Sequence, residues 1–269
     1  MSKATSPTPA GMIDRVVDIL GAFEGVGSLT LAQVVTRTGI PRSSAHRILE
    51  HLVKVRWLRR EENTYELGLR MLELGTLAAH HNALRSAALP HLHNLQNRTG
   101  LVVHLAVLDG TDIIYLDKVG GRLGMQVPSR IGGRAPAHCT AAGKMLLAAA
   151  HDDVVQAVLA GPMEAPTSAS LVSERRLRAE LRRVAERGVA FDREESAHGI
   201  GCVAAPVGRP DAPSAAVSIC GPVGRVNFEQ LVGTVRAAAR QVSTALLSGQ
   251  IRYLPGSLSE ARVAIAAGQ

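Results

Sequence analysis

The spacing of apolar residues sets the elements along this chain. Ile13, Val16, Val17, Ile19, Leu20 and Phe23 recur every three or four positions, which predicts an amphipathic helix ending at Gly25. A second helix is expected from Leu31, because Thr30 and Gln33 have the spacing of a capping box. Gly39 interrupts the pattern, and Pro41 opens a third helix over 41–53, where its missing N–H would be unpaired anyway. On a helical wheel Pro41, Ala45, Ile48, Leu49 and Leu52 share one side, and Ser43, Arg47, Glu50 and Lys54 share the other. Trp57 and Leu58, a charged tip over 59–63, and Tyr65 to Leu67 then read as a hairpin. Helix, helix, tight turn, helix and basic hairpin predict a winged helix-turn-helix.

Helical spacing continues from Gly68 to about Thr99, with Pro90 early in its second part, and predicts a linker helix followed by a helix that opens a second domain. The pattern then alternates over Leu101–Leu108 and Thr111–Lys118. Asp109-Gly110 between them is expected to form the two-residue turn. Helices are expected around 141–150, 173–187 and 228–247, and strands at 200–207 and 215–220. Hairpin strands with helices between them make an α+β domain with a mainly antiparallel sheet. The expected organisation is a tail at 1–10, a DNA-binding domain at 11–67, a linker helix at 68–82, an effector-binding domain at 83–250 and a second tail at 251–269.

Composition narrows the classes. With 46% hydrophobic and 20% charged residues in 269, the chain is globular rather than disordered. It has neither a membrane-length apolar run nor a signal-like start, so a soluble cytoplasmic protein is expected. The three cysteines, Cys139, Cys202 and Cys220, lack metal-ligand spacing, so neither a disulfide framework nor a metal site is expected. Enzyme signatures are thin. Gly199-x-Gly201-x-x-Ala204 meets Pro206 where a helix should follow, and Gly143-Lys144 lacks the rest of a phosphate loop. No nucleophile elbow is present. No catalytic residue, cofactor or metal is expected.

Charge locates the first candidate site. Of the net +7, a local +6 lies between Val35 and Arg60, where seven basic residues face only Glu50. Arg42, Ser43 and Arg47 are the principal expected DNA contacts, with the small Ser44 allowing close approach, His46 flanking, and Arg59 and Arg60 touching phosphates from the wing. The arginines of 175–187 alternate with Glu174, Glu180 and Glu186 and read as a solvated, paired face. Thr140, Ala141, Ala142 and Gly143 open a helix whose free N–H groups would attract a carboxylate; small residues there also serve close packing.

Three stretches resemble the IclR family of bacterial transcriptional regulators: Gly39 to Leu49, Arg134 through Thr140–Lys144 to Ala148, and Asp192–Glu195 with Gly199, Cys202, Ala204–Val207 and Ser218–Pro222. The resemblance implies a winged-helix reader of operator DNA and a GAF-like domain for a small organic acid, working as a homodimer or dimer of dimers, with repression the expected sign. It also implies that Asp192, Cys202, Ser218 and Cys220 line the effector cavity. Cys220 stands where the family often has Ser, which favours a larger or less polar acid, aromatic acids included. The competing readings are an enzyme on the C-terminal domain with an accessory DNA module, and a DNA-binding protein with a purely structural oligomerisation domain.

Overall fold

The computed structural model describes residues 11–209, 211–224 and 226–248. The tails expected at 1–10 and 251–269 lie outside them. The chain divides between His80 and His81 into two compact units.

The first unit runs α1 (Met12–Gly21), β1 (Leu29–Thr30), α2 (Leu31–Thr38), α3 (Arg42–Lys54), β2 (Leu58–Glu61), β3 (Thr64–Leu67) and α4 (Leu69–His81). The capping box forms as read: the Gln33 amide donates to Thr30 Oγ1 at 3.3 Å, and the Thr30 amide donates to Gln33 Oε1 at 2.8 Å. α1 stops at Gly21, four residues short of the expected Gly25. Pro41 caps α3 from outside rather than sitting in its first turn, and it is exposed. Ala45, Ile48, Leu49 and Leu52 face inward as the wheel requires and join Ile19, Phe23, Leu29, Val34, Leu58 and Tyr65 in the core. The antiparallel sheet has the order β1-β3-β2. Glu61 pairs with Thr64, so the wing tip is Glu62-Asn63, and Arg59 and Arg60 belong to β2 rather than to the tip. No residue of α4 is buried, and its Leu69, Leu72 and Leu77 are each more than half exposed.

The second unit opens with α5 (Ala83–Thr99), β4 (Val102–Asp109), β5 (Asp112–Val119), β6 (Arg134–Pro136), α6 (Ala141–Leu147) and α7 (Asp152–Ala160). It continues with α8 (Glu174–Arg187), β7 (Ala190–Arg193), β8 (Ile200–Arg209), β9 (Ala212–Pro222) and α9 (Val232–Leu247). The sheet order is β6-β5-β4-β9-β8-β7, and each neighbouring pair is antiparallel. The architecture is α+β. The short β6 and β7 go beyond the elements read from the sequence, since three or four residues are too few to display a period, and so does the nine-residue α7. α6 ends at Leu147 rather than 150, and the last helix begins as a 3-10 turn at Phe228–Leu231.

The β4–β5 turn also differs by one position. Asp109 pairs with Asp112, so the loop is Gly110-Thr111, and only Gly110 has a positive φ. A glycine at the first loop position suffices there, whereas the expected Asp109-Gly110 turn needs left-handed backbone at both. A bulge between Leu105 and Ala106 leaves Leu116 as the extra residue of β5, after which Asp117 and Lys118 project to opposite faces.

Both faces of the sheet are covered. α5 and α9 pack on one with Val103, Leu105, Val203, Val217 and Ile219. α6, α7 and α8 pack on the other with Val102, Ala106, Ile113, Ala204 and Ala216. Burial on both sides explains why β4 and β8 read as near-continuous apolar runs.

Candidate functional site

In the first unit the polar side of α3 borders a concavity of 870 Å³ lined by Leu31, Arg42, Ser43, His46, Arg60, Asn63 and Tyr65. Arg42, Ser43, His46 and Arg47 are exposed and Ser44 is half-buried. Among the described residues, neither Arg42 nor Arg47 has an acidic partner. His46 lies 3.9 Å from Glu50, one turn along the helix.

The wing arginines are different. Arg59 pairs with Glu66 and Glu61. Arg60 donates to Glu50 at 3.1 Å and to the Glu62 carbonyl at 3.0 Å. Glu50 also accepts from the Tyr65 hydroxyl at 3.1 Å. A charge window that closes at Arg60 omits Glu61, Glu62 and Glu66, so the concentrated positive charge belongs to α3 more than to the wing. On α8 the expected pairing is present, with Arg178 on Glu174 at 2.9 Å and Arg187 on Glu180 at 2.6 Å.

In the second unit the sequence-derived residues converge on the sheet face beneath α6. Asp192, Cys202 and Cys220 are register partners across β7, β8 and β9, and Ser218 stands opposite His104 of β4. All are nearly inaccessible. Cys220 Sγ lies 3.5 Å from His104 Nδ1 and 3.8 Å from Ser218 Oγ. His104 Nε2 reaches Ser129 Oγ at 2.7 Å, and the His104 and Tyr115 rings lie 4.8 Å apart. Burial lifts the Tyr115 hydroxyl well above its ordinary range. Lys118 Nζ donates to the carbonyls of Val127 and Ser129 at 2.8 and 2.6 Å, fastening that segment over the sheet. A 390 Å³ cavity lined by Tyr115, Lys118, Val127, Ser129 and Arg134 adjoins this cluster.

Two expected roles look different in three dimensions. α6 has seven residues, all buried, and the Gly143 amide donates to Thr140 Oγ1 at 3.1 Å. A Cβ at Gly143 would lie 2.2 Å from the Ala137 carbonyl oxygen. The Thr140–Gly143 turn therefore has the close packing weighed beside the anion reading, and its capped start offers a carboxylate little. Asp192 is occupied too: its carboxylate accepts from the amides of Glu195 and Ser196 and from the Ser196 hydroxyl. Burial, which outweighs those hydrogen bonds, pushes its carboxyl up to about 7.

Sequence reasoning missed Lys144 and Glu195, a buried ion pair at 2.5 Å joining α6 to the turn after β7. Thr167 and Ser170 hold the Glu195 carbonyl from the other side. It also missed His104, Tyr115, Lys118 and Ser129. A histidine inside the apolar run of β4 was the available signal. Among the described residues no cluster of three or more His, Cys, Asp or Glu could hold a metal ion, and no helix is long and apolar enough to cross a membrane.

A winged helix-turn-helix joined to an α+β domain with a polar cluster under its helices defines a transcriptional regulator with a DNA-binding and an effector-binding part. The chain belongs to the IclR family: residues 12–62 match the IclR helix-turn-helix domain, and residues 76–244 match the bacterial transcriptional regulator IclR C-terminal domain. It is 32% identical to the HTH-type transcriptional regulator XynR of Escherichia coli K12, over 87% of this chain and 94% of that one. It is also 32% identical to the transcriptional repressor IclR of the same organism, over 90% and 93%. A crystal structure of an IclR homolog from Microbacterium hydrocarbonoxydans, complexed with 4-hydroxybenzoate, superposes with a TM-score of 0.79 at 28% identity, covering 88% of this chain and all of that one.

Proposed function

We propose that this protein is a ligand-responsive repressor that reads operator DNA as a homodimer or dimer of dimers and is controlled by a small organic acid. The carrying observation is the contrast between Arg42 and Arg47, without an acidic partner among the described residues, on the open face of α3, and the shielded polar cluster of His104, Ser218 and Cys220 on an apolar sheet face. Arg42, Ser43 and Arg47 read the major groove, Ser44 admits it closely, and His46, Arg59 and Arg60 play supporting parts. The effector lies beside Ser218, Cys202 and Cys220, with Asp192 and the Thr140–Gly143 turn as packed walls. The His104 and Tyr115 rings suit an aromatic carboxylic acid, the class of ligand held by the Microbacterium relative. The exposed leucines of α4 supply part of the contact between copies.

The test is selection of bound sequences from random duplex DNA, then titration of the complex with a panel of organic acids that includes 4-hydroxybenzoate. One acid should raise the melting temperature and release the DNA. Sequence-indifferent binding, or a panel in which no acid does either, would overturn the proposal. Turnover of the bound acid would favour the enzyme reading instead.

A further inference from the structure

Cys202 and Cys220 do more than fill the sheet. They are direct partners on adjacent antiparallel strands, where Cα atoms lie about 4.5–5.5 Å apart. That distance falls inside the roughly 4.4–6.8 Å span of a disulfide. Their environments are unequal. Cys220 touches the His104 ring nitrogen and the Ser218 hydroxyl. Burial raises the Cys220 thiol, but the hydrogen bond from Cys202 and the charge and hydrogen bond of His104 outweigh it and bring the thiol down to about 5. Cys202 moves the other way, held up by its hydrogen bond to Cys220 and by burial. Cys139, by contrast, donates to the Pro136 carbonyl and is pushed up to about 12, first by burial and then by nearby acids. One sulfur is thus poised to attack, its neighbour stands ready to resolve, and the third is inert.

Ser129, in the wall of the 390 Å³ cavity, is bonded to His104, and His104 touches Cys220, so a single ring stands between that cavity and the thiol.

The geometry points to Cys220 and Cys202 as a peroxide-oxidisable dithiol, with Cys220 the attacking sulfur, Cys202 the resolving sulfur and His104 the group that holds the thiol proton. The dithiol shares Cys202, Cys220 and His104 with the effector site proposed above, but its oxidation requires no bound effector. Cys220 Sγ attacks one oxygen of hydrogen peroxide, the O–O bond breaks, and the departing hydroxide takes the proton from His104 as water. The resulting sulfenic acid is attacked by Cys202. The S–O bond breaks, the hydroxide leaves with the Cys202 proton as a second water, and the S–S bond closes. Two electrons pass from the dithiol to one peroxide.

The experiment treats the folded, full-length protein with stoichiometric hydrogen peroxide and reads the peptides by mass. The expected product is a single cross-link between the Cys202 and Cys220 peptides, lacking two hydrogens, with Cys139 still reduced. Cys202→Ser should stop at a Cys220 sulfenic acid that a cyclic dione traps, and Cys220→Ser should leave Cys202 unoxidised. The wild-type rate should be nearly flat from about pH 6 to about pH 8, since the thiolate is already formed, and His104→Asn should restore the roughly tenfold rise per pH unit of an ordinary thiol. The proposal is overturned if Cys139 oxidises as fast as Cys220, if the cross-link forms only after denaturation, or if the wild-type rate climbs with pH like an ordinary thiol. The pH profile needs no variant and decides the question even if Cys220→Ser fails to fold. A failed effector screen would leave all of these readouts unaffected.

Discussion

The two units handle polar side chains in opposite ways. In the DNA-binding head the polar residues of α3 stay at the surface over an apolar core. Every buried polar or charged residue among the described residues, from His104 to Ser218 and including Lys144, Asp192 and Glu195, belongs to the C-terminal unit. Burying such groups is costly unless each is paired or hydrogen-bonded. A head that grips a charged polymer from outside needs no such interior. A domain that encloses a polar ligand must keep polar atoms inside its core, and those here already have partners within the unit, such as Lys144 on Glu195, Thr167 on Ser170 and His138 on the Glu164 carbonyl.

The sharpest way to break this comparison is at the buried ion pair. Lys144→Ala strands the Glu195 carboxylate and should cost about 3–5 kcal/mol. The cost should fall on the C-terminal unit, where unfolding in urea followed by circular dichroism would show it. Trp57, the single tryptophan, lies in the head. Its fluorescence transition should stay in place. If both transitions shift together, the units unfold as one and the contrast fails.

Next comes Asp192. Its folded carboxyl holds a proton up to about pH 7, against an ordinary value of 3.8. The folded state therefore binds the extra proton, so this contribution to stability is full below about pH 4 and is lost as the pH rises to about 7. Asp192→Asn removes it. The stability difference between wild type and variant should change by at most about 1.4 kcal/mol per pH unit across that window. Parallel stability curves would mean that the carboxylate is better solvated than its burial implies.

The head offers the complementary tests. Arg47→Ala should weaken binding to the selected duplex by about 1–3 kcal/mol in an anisotropy titration, and change stability by less than about 0.5 kcal/mol because the side chain is exposed. The smallest effect should come from Arg59→Ala, whose guanidinium already meets Glu66. A binding loss under about 1 kcal/mol would confirm that the wing acids offset its charge. An Arg59 effect as large as that of Arg47 would return the wing to the centre of the interface.

The same contrast explains what could be read from sequence. Surface chemistry follows helical periodicity, so Ser43 and Arg47 could be placed on the open side of α3 from spacing alone, and Thr30 with Gln33 forecast their own cap. The C-terminal cluster depends on strand register, which brings Ser218 opposite His104 and Cys202 opposite Cys220 across long sequence separations. No local pattern encodes that. Nor could spacing show that Gly143 packs on Ala137, that Asp192 is spent on its own turn, or that Lys144, in a run of small residues, finds Glu195.

The extra residue in β5 has an evolutionary consequence. Because Leu116 is accommodated as a bulge, Asp117 reaches Arg85 of α5 on one face while Lys118 fastens Val127 and Ser129 on the other. Loss of the Leu116 codon would close the bulge into regular pairing, with Asp117 still opposite Leu105 and Tyr115 still opposite Ala106, so both contacts would keep their faces. Point changes at Leu116 can be absorbed gradually by repacking. Loss of a second residue would find no bulge to absorb it and would swap the two faces, so homologous lineages should show β5 at its present residue count or one shorter between Asp112 and Val119.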